Sequence, residues 1–207
     1  MKKKYLVDLH IHSNFSDGKL TIAEIVDLYG ARGFHFIAIT DHLADSKTLT
    51  GYVTQKLKLS LTANSMDQYL TTMRREAQRA WQQYGMILIP GAEVTLNSWS
   101  RHLGAHLVLL GIDKYIDPNS SVENILVENS DLFSIAAHPL WTKAFEFKTT
   151  YLWQNREKLS LLFDAWECGT AQHFAKEVYL SGFPIVASSD FHGPSRFESW
   201  KTAAYIK

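Results

Sequence analysis

Residues 8–18, DLHIHSNFSDG, place two histidines and two aspartates within eleven positions, directly behind a short apolar run. More such groups follow wherever a later apolar run starts or stops: Asp41 and His42, Glu93, His106, His138, Glu167, and Asp190 with His192. Gathered in one pocket without a counter-ion, these groups conflict. Carboxylates repel one another, and a buried imidazole needs a partner for each ring nitrogen. Divalent cations resolve the conflict, because a neutral imidazole supplies a lone pair and a carboxylate supplies charge and can bridge two ions. His10 and His12 suit this role, since side chains two residues apart on an extended segment lie on the same side. Nitrogen and oxygen donors without thiolate fit Zn, Mn or Fe and do not choose among them.

The elements that must position these groups are readable from the pattern of apolar residues. Residues 5–9 predict a short buried strand. A helix follows at 21–33, with Thr21 as N-cap, Glu24 completing a capping box, and Ile22, Ile25, Val26 and Tyr29 on one face. Residues 34–40 predict a strand ending at Asp41-His42, and 43–62 a loop or small insertion. An amphipathic helix at 66–85 closes at Gly85. Strands are then expected up to Glu93, over 105–112, up to His138, up to Glu167, up to Asp190 and at the end of the chain. Helices are expected near 121–129, 150–160 and 171–181. This alternation predicts a parallel α/β architecture. In an α/β barrel the C-terminal ends of the strands share one face, where ligands bind. His10, His12, Asp17, Asp41, His42, Glu93, His138, Glu167, Asp190 and His192 should converge there. His106 fits less well, because it stands at the start of its strand.

The chain's 207 residues suggest one domain, and 46% hydrophobic and 13% aromatic content is ample for a core. Lys plus Arg and Asp plus Glu both total 21, so no global basic field exists to attract long duplex nucleic acid. The lone Cys168 cannot form an internal disulfide, which points to the cytoplasm. The start, MKKKYLV, is followed at once by Asp8, His10 and His12, so no cleavable signal is expected, and no stretch reaches membrane-spanning length. Oligomeric state is not readable.

The pieces DLHIHSNFSDG, AITDH, GAEV, HLVLLGI, AAHP and SSDFH, in this order, resemble the PHP (polymerase and histidinol phosphatase) family of metal-dependent phosphoesterases. That resemblance implies a distorted seven-stranded (β/α) barrel, TIM-like, with the metal site at the C-terminal ends of the strands. It also implies three divalent ions. His10, His12, Glu93 and Asp190 would hold the first. Glu93 would bridge to a second held by His106 and His138. Asp17, His42 and His192 would hold the third. His102 competes with His106, and His106 is preferred because it directly precedes LVLLGI.

The implied reaction is hydrolysis of a phosphoester in a small phosphomonoester, nucleotide or short oligonucleotide, by hydroxide shared between two ions. Glu93, His138 and His192 are its expected catalytic residues. Arg101, His102, Lys143 and Arg196 are candidates for holding outer phosphate oxygens, and Asp41 and Glu167 for orienting imidazoles from behind. A histidinol-phosphate phosphatase, or a non-catalytic metal-binding module assisting a partner, are the alternative readings. His35 and His173 read as structural histidines and Cys168 as a small buried residue. The length of the 43–62 segment and the short stretch before AAHP leave the substrate open.

Overall fold

The computed structural model describes residues 3–57, 59–96, 104–140, 150–171, 173–197 and 199–206. Its strands are β1 (Lys3–Ile11), β2 (Phe36–Ile39), β3 (His42–Ala44), β4 (Ile87–Leu96), β5 (Ala105–Leu110), β6 (Phe133–Ala136), β7 (Ala165–Thr170), β8 (His173–Phe174), β9 (Ile185–Ala187) and β10 (Thr202–Ile206). Its helices are α1 (Ile22–Gly30), α2 (Leu49–Lys56), α3 (Ala63–Tyr84), α4 (Val122–Glu128), α5 (Tyr151–Gln154), α6 (Arg156–Leu159) and α7 (Lys176–Tyr179).

Helix α1 starts as its sequence predicts. Thr21 Oγ1 accepts from the Glu24 amide at 3.2 Å, and Glu24 Oε2 accepts from the Thr21 amide at 2.8 Å. Ile22, Ile25, Val26 and Tyr29 are buried beneath it. Helix α3 begins at a second reciprocal cap between Thr62 and Ser65, and ends at Gly85 in the left-handed conformation, φ 62°, that glycine adopts without strain. Arg79 on α3 ties the two helices together through the Ala23 carbonyl at 2.8 Å.

The result is a mixed α/β fold around a curled sheet. Hydrogen bonding runs continuously through β1, β2, β4, β5, β6, β7 and β9, with β3 added to β4, β8 to β7 and β10 to β1. An isolated bridge joins Phe191, just after β9, to Ile11 at the end of β1. The His12 amide donates to the Phe191 carbonyl at 2.8 Å, and the Phe191 amide to the His10 carbonyl at 3.2 Å. Among the described residues, the larger hydrophobic cluster reaches from Ile11 to Phe191 and includes Trp166, Tyr69 and Tyr29, and a smaller one joins Ala38, Val108, Leu110, Ile135, Ala137 and Ala165. Tyr29, Phe34, Phe191 and Phe197 meet edge-on with ring centroids 4.8–6.5 Å apart, under the segment after β9. Each such pair adds roughly 0.5–1.5 kcal/mol beyond the area it buries.

Four expectations are corrected or refined. The sheet is not parallel throughout: β5 runs antiparallel to both β4 and β6. A period-two apolar pattern carries no information about strand direction, which only the pairing of β5 with its two neighbours reveals. The 43–62 segment is structured, adding β3 beside β4 and then α2. The predicted helix at 171–181 is mostly replaced: β8 forms a short hairpin with β7, and α7 is one turn. The helix expected at 150–160 is divided at Asn155 into α5 and α6. Among the described residues, no helix is long and apolar enough to cross a membrane.

Candidate metal centre

Strand β1 delivers His10 and His12 at its C-terminal end, both fully buried. The loop behind them is folded tightly: the Gly18 amide donates to the Ser13 carbonyl at 3.0 Å. A Cβ at Gly18 would stand 2.3 Å from the His12 carbonyl oxygen, so only glycine lets the loop return this closely. Asp17 is thereby brought back over β1, with its Oδ1 3.9 Å from His12 Nδ1.

Strand register sets the opposite wall. His42 on β3 stands beside Glu93 on β4, and Thr95 on β4 stands beside His106 on β5. Because β5 is antiparallel, its first residues lie at the end where β4 and β6 finish. His106 therefore joins the cluster from a strand start, which removes the misfit in the sequence pattern. His138 follows β6 and Asp190 follows β9, and both occupy left-handed backbone, φ 27° and 49°. Such conformations cost a non-glycine residue of order 1–3 kcal/mol and recur at functional sites.

Glu93 is the hub. Its Oε1 accepts from His106 Nδ1 at 2.7 Å and lies 3.1 Å from His138 Nε2. Its Oε2 lies 2.9 Å from His42 Nδ1 and 3.4 Å from the Nε2 atoms of both His10 and His12. Asp190 Oδ1 lies 3.4 Å from His12 Nε2 and 3.7 Å from His10 Nε2. Asp17 faces His192 Nε2 at 3.2 Å and His42 Nε2 at 3.6 Å.

The electrostatics divide the imidazoles. Burial disfavours charge on His12, and the neighbouring His192 and His42 add to this, pulling its pKa down to about 3. Burial also opposes charge on His10 and His42, but carboxylates outweigh it. Glu93 and Glu167 hold His10 well above the usual histidine range, and Glu93, Asp17 and Asp190 lift His42 to about 9. Burial alone would raise Glu93, yet His106, His42 and His10 hold it well below the usual carboxylate range. Glu93 is therefore ionised and His12 neutral at pH 7.

The donor set suits divalent cations. Among the described residues, His10 Nε2, both ring nitrogens of His12 and Glu93 Oε2 are buried and without a hydrogen-bond partner, a costly arrangement unless something else takes their lone pairs. Three overlapping groups have ligand atoms close enough to share an ion: His12, Asp17, His42 and His192; His10, Glu93 and His138; and His10, His12 and Asp190. His106 reaches the cluster through Glu93.

Other sequence candidates are placed as follows. Glu167 stands behind the ligands, with Oε1 3.2 Å from His10 Nδ1 and Oε2 accepting from the His138 amide at 2.7 Å. Asp41, expected to orient an imidazole, turns to the loop instead and accepts from the Ser13 amide and hydroxyl and the Ser16 hydroxyl at 2.8, 2.6 and 2.6 Å. Arg196 lies 2.9 Å from Asp190 Oδ2, so its charge is directed to a protein carboxylate. Arg101, His102 and Lys143 lie outside the described residues. His35 Nδ1 accepts from the Leu6 amide at 3.2 Å, and Cys168 Sγ donates to the Val186 carbonyl at 3.3 Å. His173 sits on β8 rather than on a helix.

Three contributors escaped the sequence reading. Ser13 and Ser16 build the loop, and Thr95 Oγ1 holds His42 Nδ1 at 2.8 Å. Thr95 was signalled by its place two residues after Glu93 on the same strand face. Nothing local marks the two serines.

Comparison with known proteins bears on the family and the fold. A family model described as the PHP domain matches residues 8–174. A 3',5'-nucleoside bisphosphate phosphatase of Chromobacterium violaceum is 35% identical over 107 residues, 52% of this chain and 28% of its own length. A 5'-3' exoribonuclease of Haemophilus influenzae is 33% identical over 114 residues, 55% of this chain and 31% of its own. The match thus spans about a third of these relatives or less. Among solved structures, a two-domain protein of Bacteroides vulgatus, described as containing a predicted PHP-like metal-dependent phosphoesterase, superimposes with a TM-score of 0.71. The overlap covers 99% of this chain and 59% of that one at 18% identity. An amidohydrolase of Chromobacterium violaceum superimposes with a TM-score of 0.55 at 17% identity, over 95% of this chain and 90% of that one. At these identities the two structures speak for the fold alone.

Proposed function

The chain belongs to the PHP domain family, and from that premise we propose that it hydrolyses a phosphoester bond of a small nucleotide, with three divalent ions held at the strand ends. In this reading the Ile11–Phe191 bridge completes a distorted seven-stranded barrel. His10, His12, Glu93 and Asp190 hold one ion, Glu93, His106 and His138 a second, and Asp17, His42 and His192 the third. The observation that carries the reading is the set of buried imidazole and carboxylate atoms left without hydrogen-bond partners around Glu93.

Divalent ions bound there supply charge against phosphoryl oxygens and lower the pKa of water. The chain's own groups do the rest. Glu93 stays ionised and His12 neutral, so both present lone pairs at neutral pH. Glu167 orients the His10 ring and holds the His138 backbone amide. Asp17 and His192 are the most open members of the cluster, at 35% and 20% side-chain exposure, and mark the side from which substrate enters. In this reading Glu93, His138 and His192 act in the reaction as ligands of the ions.

The substrate class follows from charge balance and from the relatives. A neutral chain gives no field for a long duplex. Both named relatives act at phosphates of nucleosides or RNA, so a nucleoside bisphosphate or the terminal phosphate of a short oligonucleotide is proposed. The test is turnover, with added manganese, of a nucleoside 3',5'-bisphosphate, a short RNA, histidinol phosphate and a chromogenic phosphate ester. Turnover of the first two that is lost in His12→Ala and Glu93→Ala supports the reading. Preference for histidinol phosphate would replace the substrate class. A folded, metal-loaded protein inert on all four would contradict an enzymatic role and favour a binding module.

A further inference from the structure

Two charged groups outside the ligand set grip the same short turn. Asp8 opens the motif that supplies His10 and His12, yet it is no member of the three ligand groups. It is fully buried, two residues before His10 and one pleat deeper. Its Oδ1 accepts from the Ser189 amide at 2.9 Å, and its Oδ2 accepts from the Tyr29 hydroxyl at 2.9 Å. The Tyr29 oxygen also lies 3.2 Å from Ser189 Oγ.

Arg196 approaches the turn from the solvent side, on the 3-10 turn Pro194–Arg196. Its Nη1 lies 2.9 Å from the Asp190 carbonyl oxygen and 2.9 Å from Asp190 Oδ2. His192 Nδ1 lies 3.0 Å from the same Nη1 and 2.9 Å from the Asp190 carbonyl. Nη1 carries two hydrogens, and the two Asp190 acceptors take them. His192 Nδ1 then donates its proton to the Asp190 carbonyl, which leaves the Nε2 lone pair of His192 facing Asp17.

We propose that Asp8 and Arg196 are positioning residues that brace the Ser189–Asp190 turn from below and above, so that Asp190 Oδ1 and His192 Nε2 are presented as metal ligands. The inference rests on the reading of Asp190 and His192 as ligands given above. It explains why Asp190 can hold φ 49° in the absence of glycine: both the amide before it and the carbonyl of Asp190 itself are engaged. It also explains how the two carboxylate oxygens are divided. Oδ2 is engaged by Arg196, and Oδ1 is left among His10, His12 and His192. Held in this way, Arg196 is turned from the phosphate to a ligand.

The experiment titrates manganese into metal-free protein by calorimetry and measures turnover of a nucleoside 3',5'-bisphosphate, for wild type, Arg196→Gln, Arg196→Lys, Asp8→Asn and Asp8→Ala. Arg196 is partly exposed, so its variants are expected to fold. Asp8→Asn keeps an oxygen for the Ser189 amide and guards against a misfolded Asp8→Ala. The expected result is manganese affinity about 10–100-fold weaker in Arg196→Gln, the range for partners that orient ligands. kcat falls with KM little changed, Arg196→Lys recovers part of the affinity, and Asp8→Asn binds more tightly than Asp8→Ala if the latter folds. In an Asp190→Asn background, Arg196→Gln should add little further loss, because the two act on one ligand. Wild-type affinity in Arg196→Gln together with a raised KM would overturn the inference and make Arg196 a phosphate contact. Wild type that takes up no manganese would overturn the ligand reading itself, and the brace with it.

Discussion

Glu93 and Asp190 are carboxylates facing the same imidazoles, His10 and His12, but the chain holds them by different means. Glu93 sits within strand β4, with β3 hydrogen-bonded on one side and β5 on the other. Ladder register alone places His42 beside it and brings His106 close. Asp190 sits past the end of β9, in left-handed backbone, beside the isolated bridge from Phe191 to β1, and its own carbonyl and Oδ2 are held by the Arg196 side chain. A ladder is over-determined, since losing one bond leaves the rest in register. A braced turn is not, since each contact removes one degree of freedom. The Glu93 half should be insensitive to changes around it and intolerant of change to itself. The Asp190 half should respond to its supports.

The largest effects should come from the hub. Glu93→Gln keeps the shape but removes the charge that all the surrounding imidazoles face. Turnover should fall about 10³-fold or more, roughly 4 kcal/mol of barrier, with the far-ultraviolet circular dichroism unchanged. Asp190→Asn should cost less, roughly 10²-fold, since ligand atoms outside its group remain. Equal losses, or a larger loss at Asp190, would break the distinction between the two halves.

Gly18→Ala attacks the loop that returns Asp17. The new methyl would meet the His12 carbonyl at 2.3 Å, so the loop must move outward. The expected cost is about 1–3 kcal/mol, seen as a lowered Tm. Ion binding should weaken at the Asp17, His42 and His192 group and persist at Glu93 and His138. A variant with wild-type Tm and wild-type ion affinity would show the loop to be unimportant.

Metal removal gives a prediction in pH. Without an ion, burial works against charge on His42, but Glu93, Asp17 and Asp190 raise its pKa from 6.5 to about 9. Protonation of the folded form is then favoured, so this group's contribution to stability is full below pH 6.5 and is lost as pH rises through 9. Urea unfolding of metal-free protein at pH 6.5 and pH 9 should show that loss. Manganese-loaded protein should show much less of it, and uptake of the ion near pH 7 should release protons. A metal-free protein equally stable at both pH values would contradict the assignment.

The smallest effect belongs to a region far from either carboxylate. Lys158 pairs with Glu123 at 2.9 Å on an exposed surface between α6 and α4. Lys158→Ala should leave Tm and turnover unchanged within error, as exposed pairs usually do.

The site was more legible in the sequence than the topology around it. His10-x-His12 is visible because strand geometry repeats every two residues, and Glu93, Asp190 and His192 because each stands where an apolar run stops. The capping box of α1 and the left-handed Gly85 are local chemistry, written in a few adjacent residues. The direction of β5 was not legible, since it is a property of pairing with β4 and β6 rather than of the strand's own residues, and for the same reason His106 looked misplaced. The partners of Asp41 and Arg196 were not legible either. Both are ordinary surface-compatible residues in the sequence, and only the fold shows that one holds a loop and the other a turn.

The most direct test is anomalous diffraction from crystals of the protein grown with manganese, recorded near the manganese edge. The account predicts peaks between Glu93 and its histidines, between His10, His12 and Asp190, and within the Asp17, His42 and His192 group. Data of good quality with no anomalous peak at any of these side chains would contradict it.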